Sequence, residues 1–136
     1  MIDFEKLVVY GKAKEFCLKV QDIILEHTRI DRTLKDQLRR CSLSISLNIA
    51  RVCSRFSKAD RRNFFVIVRG SVFEVIAILD ILKPEIIELQ ILSEYKLKAE
   101  EILKILFALI RQLEKKSCVS ASLRLNLCFR NRTHES

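Results

Sequence analysis

The sequence predicts an all-α protein, an antiparallel up-down-up-down bundle of four helices, and three observations carry that prediction. Among 136 residues there are 2 glycines and 1 proline. That is too few turn formers for a β-sandwich or barrel, whose turns recur about every 8–12 residues. Two scattered glycines likewise cannot build the phosphate loop of a Rossmann or P-loop fold. Apolar residues make up 49% of the chain and recur at helical spacings, as one buried face per helix requires. The length suits one domain. Residues 1–117 are read as the bundle and 118–136 as a loosely ordered basic tail, because Lys is lost there, Ser and Asn are gained, and no long period persists. No run of about 18 uncharged apolar residues occurs, so no membrane span is predicted. The opening Met1–Lys6 lacks the basic and apolar regions of a secretory signal, and the cytoplasm is the expected compartment.

The first helix is predicted from Asp3 to His27. Phe4, Leu7, Val8, Ala13, Phe16, Cys17, Val20, Ile23 and Ile24 form its apolar face. Gly11 interrupts it, a weak spot that is tolerable where another backbone approaches closely. In the second segment, Cys41 to Ile49 alternates apolar and polar like a strand. The helical template reaches further, through Leu34, Leu38, Cys41, Ile45, Ile49 and Val52. A lone strand would leave its backbone unpaired, so helix is the reading. Ser42 and Ser46 then form a small-residue stripe that admits a neighbouring helix. Ser57, with Asp60 three residues later, reads as the N-cap of the third helix, which Pro84 stops near Lys83.

That third helix is the unusual one. Fourteen of the nineteen residues from Phe64 to Leu82 are apolar. Phe64, Val68, Val72, Val75, Leu79 and Leu82 are predicted to face the core, and Val66, Phe73 and Ile76 to point away. A helix apolar all round has to be buried all round, so the spare face predicts oligomerisation. After a linker at 84–92, the fourth helix is predicted from Ser93 to Lys116, with Tyr95, Ala99, Ile102, Leu103, Leu106, Leu109, Ile110 and Leu113 as its stripe.

The net charge is +8, and residues 29–69 alone account for that excess, with eleven basic groups, nine of them Arg, against three acidic ones. Arginine suits bidentate contact with phosphate. Arg32, Lys35 and Arg39 follow one helical face, and Lys58, Arg62 and Arg69 another. Arg55 and Lys58 lie on the connecting loop, which predicts that these cations gather around one end of the bundle. With Arg40 they form the candidate nucleic-acid-binding set. The competing reading is a solvated face, or pairing between subunits with the acidic fourth helix. No aromatic-rich platform for single strands is evident.

Catalytic and metal chemistry find little support. His27 and His134 are poorly placed as bases, and no Glu-x-x-His pair suggests a di-iron site. Five irregularly spaced cysteines, without a Cys-x-x-Cys, read as reduced core residues rather than zinc ligands. Glu74, set in an apolar stretch, is expected to be buried against an Arg or a helix-cap amide. No cofactor and no metal are expected.

Three stretches carry a family resemblance. The first is Asp3-Phe4-x-Lys6-Leu7-x-Val9-Tyr10-x-Lys12-Ala13, and the second runs from Asp36 to Ser44-Ile45 and on to Asn48-Ile49-Ala50. The third is Arg55-Phe56-Ser57-Lys58 followed by Phe64-Phe65 and Arg69-Gly70-Ser71-x-x-Glu74. In order and spacing, over about residues 3–116, these resemble the four-helix bundle proteins encoded in intervening sequences of bacterial large-subunit ribosomal RNA genes. The resemblance implies a left-handed bundle, a ring-shaped homopentamer, no known enzyme activity, and binding to RNA or DNA as the role to expect. The accessory protein of diversity-generating retroelements, a basic pentamer that engages a reverse transcriptase, is a more distant relative. One departure stands out. Where the family reads Asn-Ile-Ala-Glu-Gly, a small residue, Gly and Arg, this chain has Arg51, Val52, Cys53, Ser54 and Arg55 after Ala50. The turn is therefore expected to carry side chains where backbone freedom was available, and any pairing that used the acid is reversed in sign.

The functional expectation is a non-enzymatic, oligomeric bundle that binds structured RNA, such as ribosomal RNA, through its arginine-rich segment. The alternative is a protein-interaction module that docks an acidic or nucleic-acid-bound partner.

Overall fold

The computed structural model describes the backbone of residues 7–132 apart from Lys83, and the side chains of 7–114 with the same exception. It holds four helices, α1 (Val8–Glu26), α2 (Arg32–Cys53), α3 (Lys58–Ile81) and α4 (Leu89–Arg132), and no strand among the described residues. The second segment is helical throughout. Its start is fixed by Asp31, whose carboxylate accepts the Thr33 N–H at 2.9 Å. Ser57 caps α3 as its spacing predicted, accepting the Asp60 N–H at 3.2 Å. Such caps satisfy amides that have no partner inside the helix.

Several boundaries differ from the sequence reading. α1 is predicted from Asp3, but Leu7 is extended (φ −75, ψ 123) and the helix starts at Val8. α3 ends at Ile81, and Leu82 is already extended (φ −64, ψ 135), because the chain has to leave the helical region before Pro84. α4 starts four residues ahead of Ser93. The Ser93 hydroxyl donates back to the Leu89 carbonyl at 2.9 Å, a bond made inside a helix rather than at its start. The sequence predicts an end of α4 near Lys116, with 118–136 as a tail. The helix runs to Arg132, and the tail's side chains lie outside the described residues.

α1 packs on α2 and α4, and α3 packs on the same two. Between them lies one core, centred on the fully buried Phe16, Leu38, Ile45, Ile49, Leu79, Ile102 and Leu106. Ser42 is fully buried under α1. The Cys17 thiol donates to the Ser42 carbonyl and stands 3.2 Å from Ser46 Oγ, so the small-residue stripe does admit a helix. Tyr95 reaches across from α4, donating to the Lys19 carbonyl at 2.6 Å, with its ring tilted 59° against Phe16.

On α3 the core register is shifted by one residue at its start. Phe65, not Phe64, is buried, and Phe64 is half-covered by the Arg55 guanidinium, 5.0 Å from its ring centroid. Val66 and Ile76 are partly buried against the core, so the spare face is narrower than predicted. It consists of Ile67, Phe73 and Ile81, at 47%, 57% and 69% exposure.

The cross-helix ion pairs record the relative direction of the helices. Lys12, Glu15 and Lys19 of α1 meet Glu101, Lys98 and Glu94 of α4, all at 2.7–2.8 Å, so numbers rise along one helix as they fall along the other. The neighbouring ammonium groups hold Glu15, Glu94 and Glu101 below the usual carboxylate range.

Gly11 is not the close-approach position the sequence suggested. A Cβ built there meets nothing within 4 Å, and its φ is not positive. The glycine therefore contributes only backbone freedom, most of it in the unfolded chain. Gly11→Ala should raise stability by about 0.4–1 kcal/mol. Urea unfolding should show a higher midpoint at unchanged slope, and a lower midpoint would mean the position is occupied.

Candidate nucleic-acid interface

The candidate cations do not all gather at one end. α2 has 22 residues, about 33 Å at 1.5 Å per residue. Arg32 and Lys35 sit at its start, Arg55 and Lys58 lie just past its end, and Arg62 is in the first turns of α3. The start of α2 and the turn that follows its end therefore lie a whole helix length apart. Arg39 is tied to Asp36 at 3.0 Å, and Arg69 lies between α3 and α4 beside Glu100 and Lys104.

The turn between α2 and α3 is where cations do concentrate. Arg51, Arg55, Lys58, Arg61 and Arg62 fall within twelve residues. Arg61 Nε donates to the Arg55 carbonyl at 2.8 Å, which fixes the turn's shape, while Arg55 lies over Phe64. Arg62 grips one oxygen of Glu114 through Nε at 2.8 Å and Nη2 at 2.7 Å. The other four have no ion pair among the described residues. Phe56, at the tip, is 99% exposed. The sequence reading left out Arg51, Arg61 and Phe56. A lone aromatic in a turn makes no periodic signal; the clues to Phe56 are its flanking cations and its place in the stretch that carries the family resemblance.

The α2–α3 seam is polar and closed. Asn48, 6% exposed, donates to the Ser44 carbonyl at 2.8 Å and stands 3.0 Å from Ser44 Oγ. Ser71 donates to Ser44 Oγ at 2.9 Å. Glu74 corrects an expectation, since it is exposed rather than buried, and its partner is the Cys41 thiol, which donates to it at 2.9 Å. Burial, then the hydrogen bond and charge of Glu74, push that thiol from 9.0 up to about 12. Between the helices lies a groove of about 510 Å³, lined by Gln37, Arg40, Cys41, Ser44, Ile67, Gly70, Ser71 and Glu74. Apart from Ile67, these are residues that carry the family resemblance.

The departure from the family pattern is accommodated without strain. Arg51 donates to Asn48 Oδ1 at 3.3 Å, so the cation has an uncharged acceptor. Val52 is buried at 5%. Ser54 closes the helix in the right-handed region (φ −85, ψ −2), and its hydroxyl donates to the Arg51 carbonyl at 2.8 Å. No described residue has a positive φ.

The carboxylates of α4 are largely occupied within the chain. Glu94 and Glu101 hold α1 lysines, and Glu114 holds Arg62. Apart from Arg62, none of the candidate cations pairs with α4 among the described residues, which weakens the view that the basic segment exists to neutralise that helix.

The family model described as 23S rRNA-intervening sequence protein matches residues 5–108, covering the seam and the cationic turn. No curated protein and no solved structure matches the chain.

The Cys41–Glu74 pair makes a checkable prediction. A thiol held above its unfolded value contributes stability that is complete below pH 9.0 and lost as pH rises towards about 12. Glu74→Gln removes the charge but not the burial, so the Cys41 pKa should fall while staying above 9.0. Alkylation of Cys41, followed by peptide mass mapping in mildly alkaline buffer, should then be faster than in the wild type. An unchanged rate would show that Glu74 does not hold the thiol.

Proposed function

The chain belongs to the 23S rRNA-intervening sequence proteins, and from that premise we propose that it is a non-enzymatic, oligomeric bundle that binds structured RNA. The contact surface is the cationic turn between α2 and α3. The observation that carries this reading is the concentration of Arg51, Arg55, Lys58, Arg61 and Arg62 around a fully exposed Phe56. Among the described residues all but Arg62 lack a carboxylate partner, and such cations suit phosphates, as an exposed aromatic ring suits an unpaired base. Of the wider candidate set, Arg32 and Lys35 form a second, weaker patch at the far end. Arg39 is partly neutralised by Asp36.

The helix order is read as antiparallel, up-down-up-down, which the opposed numbering of the ion pairs supports. The assembly is read as a ring-shaped homopentamer. The exposed apolar side chains of α3 support self-association, and the family resemblance supports the ring. Under cyclic symmetry every copy presents its turn on the same rim, so a long RNA meets several at once and the contacts reinforce one another.

Binding should weaken with salt, log K falling by about 0.9 per phosphate contact on duplex DNA and about 0.7 on single strands. Arg55→Gln with Lys58→Gln should lower the slope by about 1.4 per protomer engaged on single-stranded RNA. Lys14→Gln with Lys96→Gln should leave the slope unchanged. Phe56→Ala should cost about 5- to 150-fold on RNA with unpaired bases and little on a duplex, since stacking is worth about 1–3 kcal/mol per base. Fluorescence anisotropy over a salt series reads all three. Equal effects of both double substitutions would reduce the affinity to diffuse charge attraction. No RNA binding at about 100 mM salt would hand the lead to a module that docks a protein partner.

A further inference from the structure

We propose that the two flanks of α3 are the complementary halves of one self-interface, in which the Phe73–Phe107 ridge of one copy seats in the groove over Gly70 of the next, head to tail. This rests on the self-association proposed above and specifies how it is built.

The groove is a receptor without a guest. A Cβ built on Gly70 meets nothing within 4 Å, and the space between α2 and α3 is about 510 Å³. Its hydroxyl floor is already satisfied, because Ser71 donates to Ser44 Oγ and stands 3.0 Å from the Ile67 carbonyl. An apolar guest therefore leaves these hydroxyls paired when it displaces water, and the charged rim of Arg40 and Glu74 is left for the guest's own charges to meet. On the other flank, Phe73 and Phe107 are 57% and 60% exposed, and they border a furrow of about 400 Å³ between α3 and α4. Exposed rings of that size are the kind of anchor that fills a pocket on a partner.

The charges are arranged to match. From Glu94 to Lys104, α4 carries six charged residues. Glu94, Lys96, Lys98 and Glu101 each hold an ion pair within the chain. Glu100 and Lys104, one helical turn apart beside the ridge, hold none among the described residues. Across the molecule, Arg40 and Glu74 flank the groove. Arg40 has no ion pair among the described residues, and Glu74 meets only a neutral thiol. The groove half thus offers Arg40 and Glu74, and the ridge half Glu100 with Lys104 and Arg69, so that each half has a cation for the other's carboxylate. Ridge against ridge would leave both grooves empty, whereas ridge into groove fills them. A contact between two different patches is heterologous, and it closes into a ring when its rotation divides the circle. Gly70 and Phe73 are three residues apart on one rigid helix, which fixes the angle between the two halves.

The test uses two opposite variants of the full chain. Phe73→Asp with Phe107→Asp spoils the ridge alone. Gly70→Trp fills the groove alone and points into open space in the protomer; Gly70→Leu is the gentler form should the tryptophan variant fail to fold by circular dichroism. Light scattering should give a wild-type mass above that of a dimer and a single 15.9 kDa protomer for each variant. An equimolar mixture should give twice that mass and no more, since one intact ridge meets one intact groove. A mixture that stays monomeric, or either folded variant keeping the wild-type mass, overturns the interface. A wild-type dimer overturns the head-to-tail arrangement and leaves self-association standing. A wild-type monomer overturns the self-association reading itself.

Discussion

α3 carries more apolar surface than its neighbours in one bundle can cover. α2 lies on one flank, α4 on the other and the core beneath, which accounts for Phe65, Val68, Val72, Val75 and Leu79. Ile67, Phe73 and Ile81 are left facing outward. Burying apolar area is the main favourable term in both folding and association, so the proposed self-association would draw on the same helix as the fold. The polar α2–α3 seam fits the same account. Ser44, Asn48 and Ser71 satisfy one another, which lets the two backbones run close while a groove stays open above Gly70.

The elements were legible in the sequence because they depend on period and punctuation. Ser57, Asp31 and Pro84 mark ends by hydrogen bonding or by denying it, and the stripe from Leu38 to Val52 marks a face. Misreadings occurred where tertiary context decides. Both Phe64 and Phe65 are in step with Val68, at four and three residues; packing buries Phe65 and leaves Phe64 partly covered, with Arg55 over its ring. Ser93 looks like a helix start, yet its hydroxyl bonds backward. Glu74 was expected to be buried because its sequence neighbours are apolar, but its position on the helix turns it outward beside Cys41.

The candidate site was legible in composition and not in arrangement. Charge counting found the segment from 29 to 69 and could not see that a helix of about 33 Å separates Arg32 and Lys35 from the turn that carries Arg55 and Lys58. The useful cluster is the short stretch around the α2–α3 turn, where chain reversal brings cations of two helices together. Arg40 and Arg69 belong to the flanks of α3 rather than to that turn. The same run of arginines is thus divided between two places, the α2–α3 turn and the edges of the apolar grooves beside α3.

The substitutions after Ala50 have a consequence for the chain that is not folded. Glycine leaves the unfolded ensemble with the widest choice of backbone angles, and that freedom is lost on folding. At Ser54 the native turn uses ordinary right-handed angles, so a residue with a side chain gives up less to reach them. Val52, β-branched and buried, narrows the disordered alternatives further and adds apolar contact. A departure that reads on paper as erosion of a family pattern therefore works on the entropy of the denatured state, and it favours the fold.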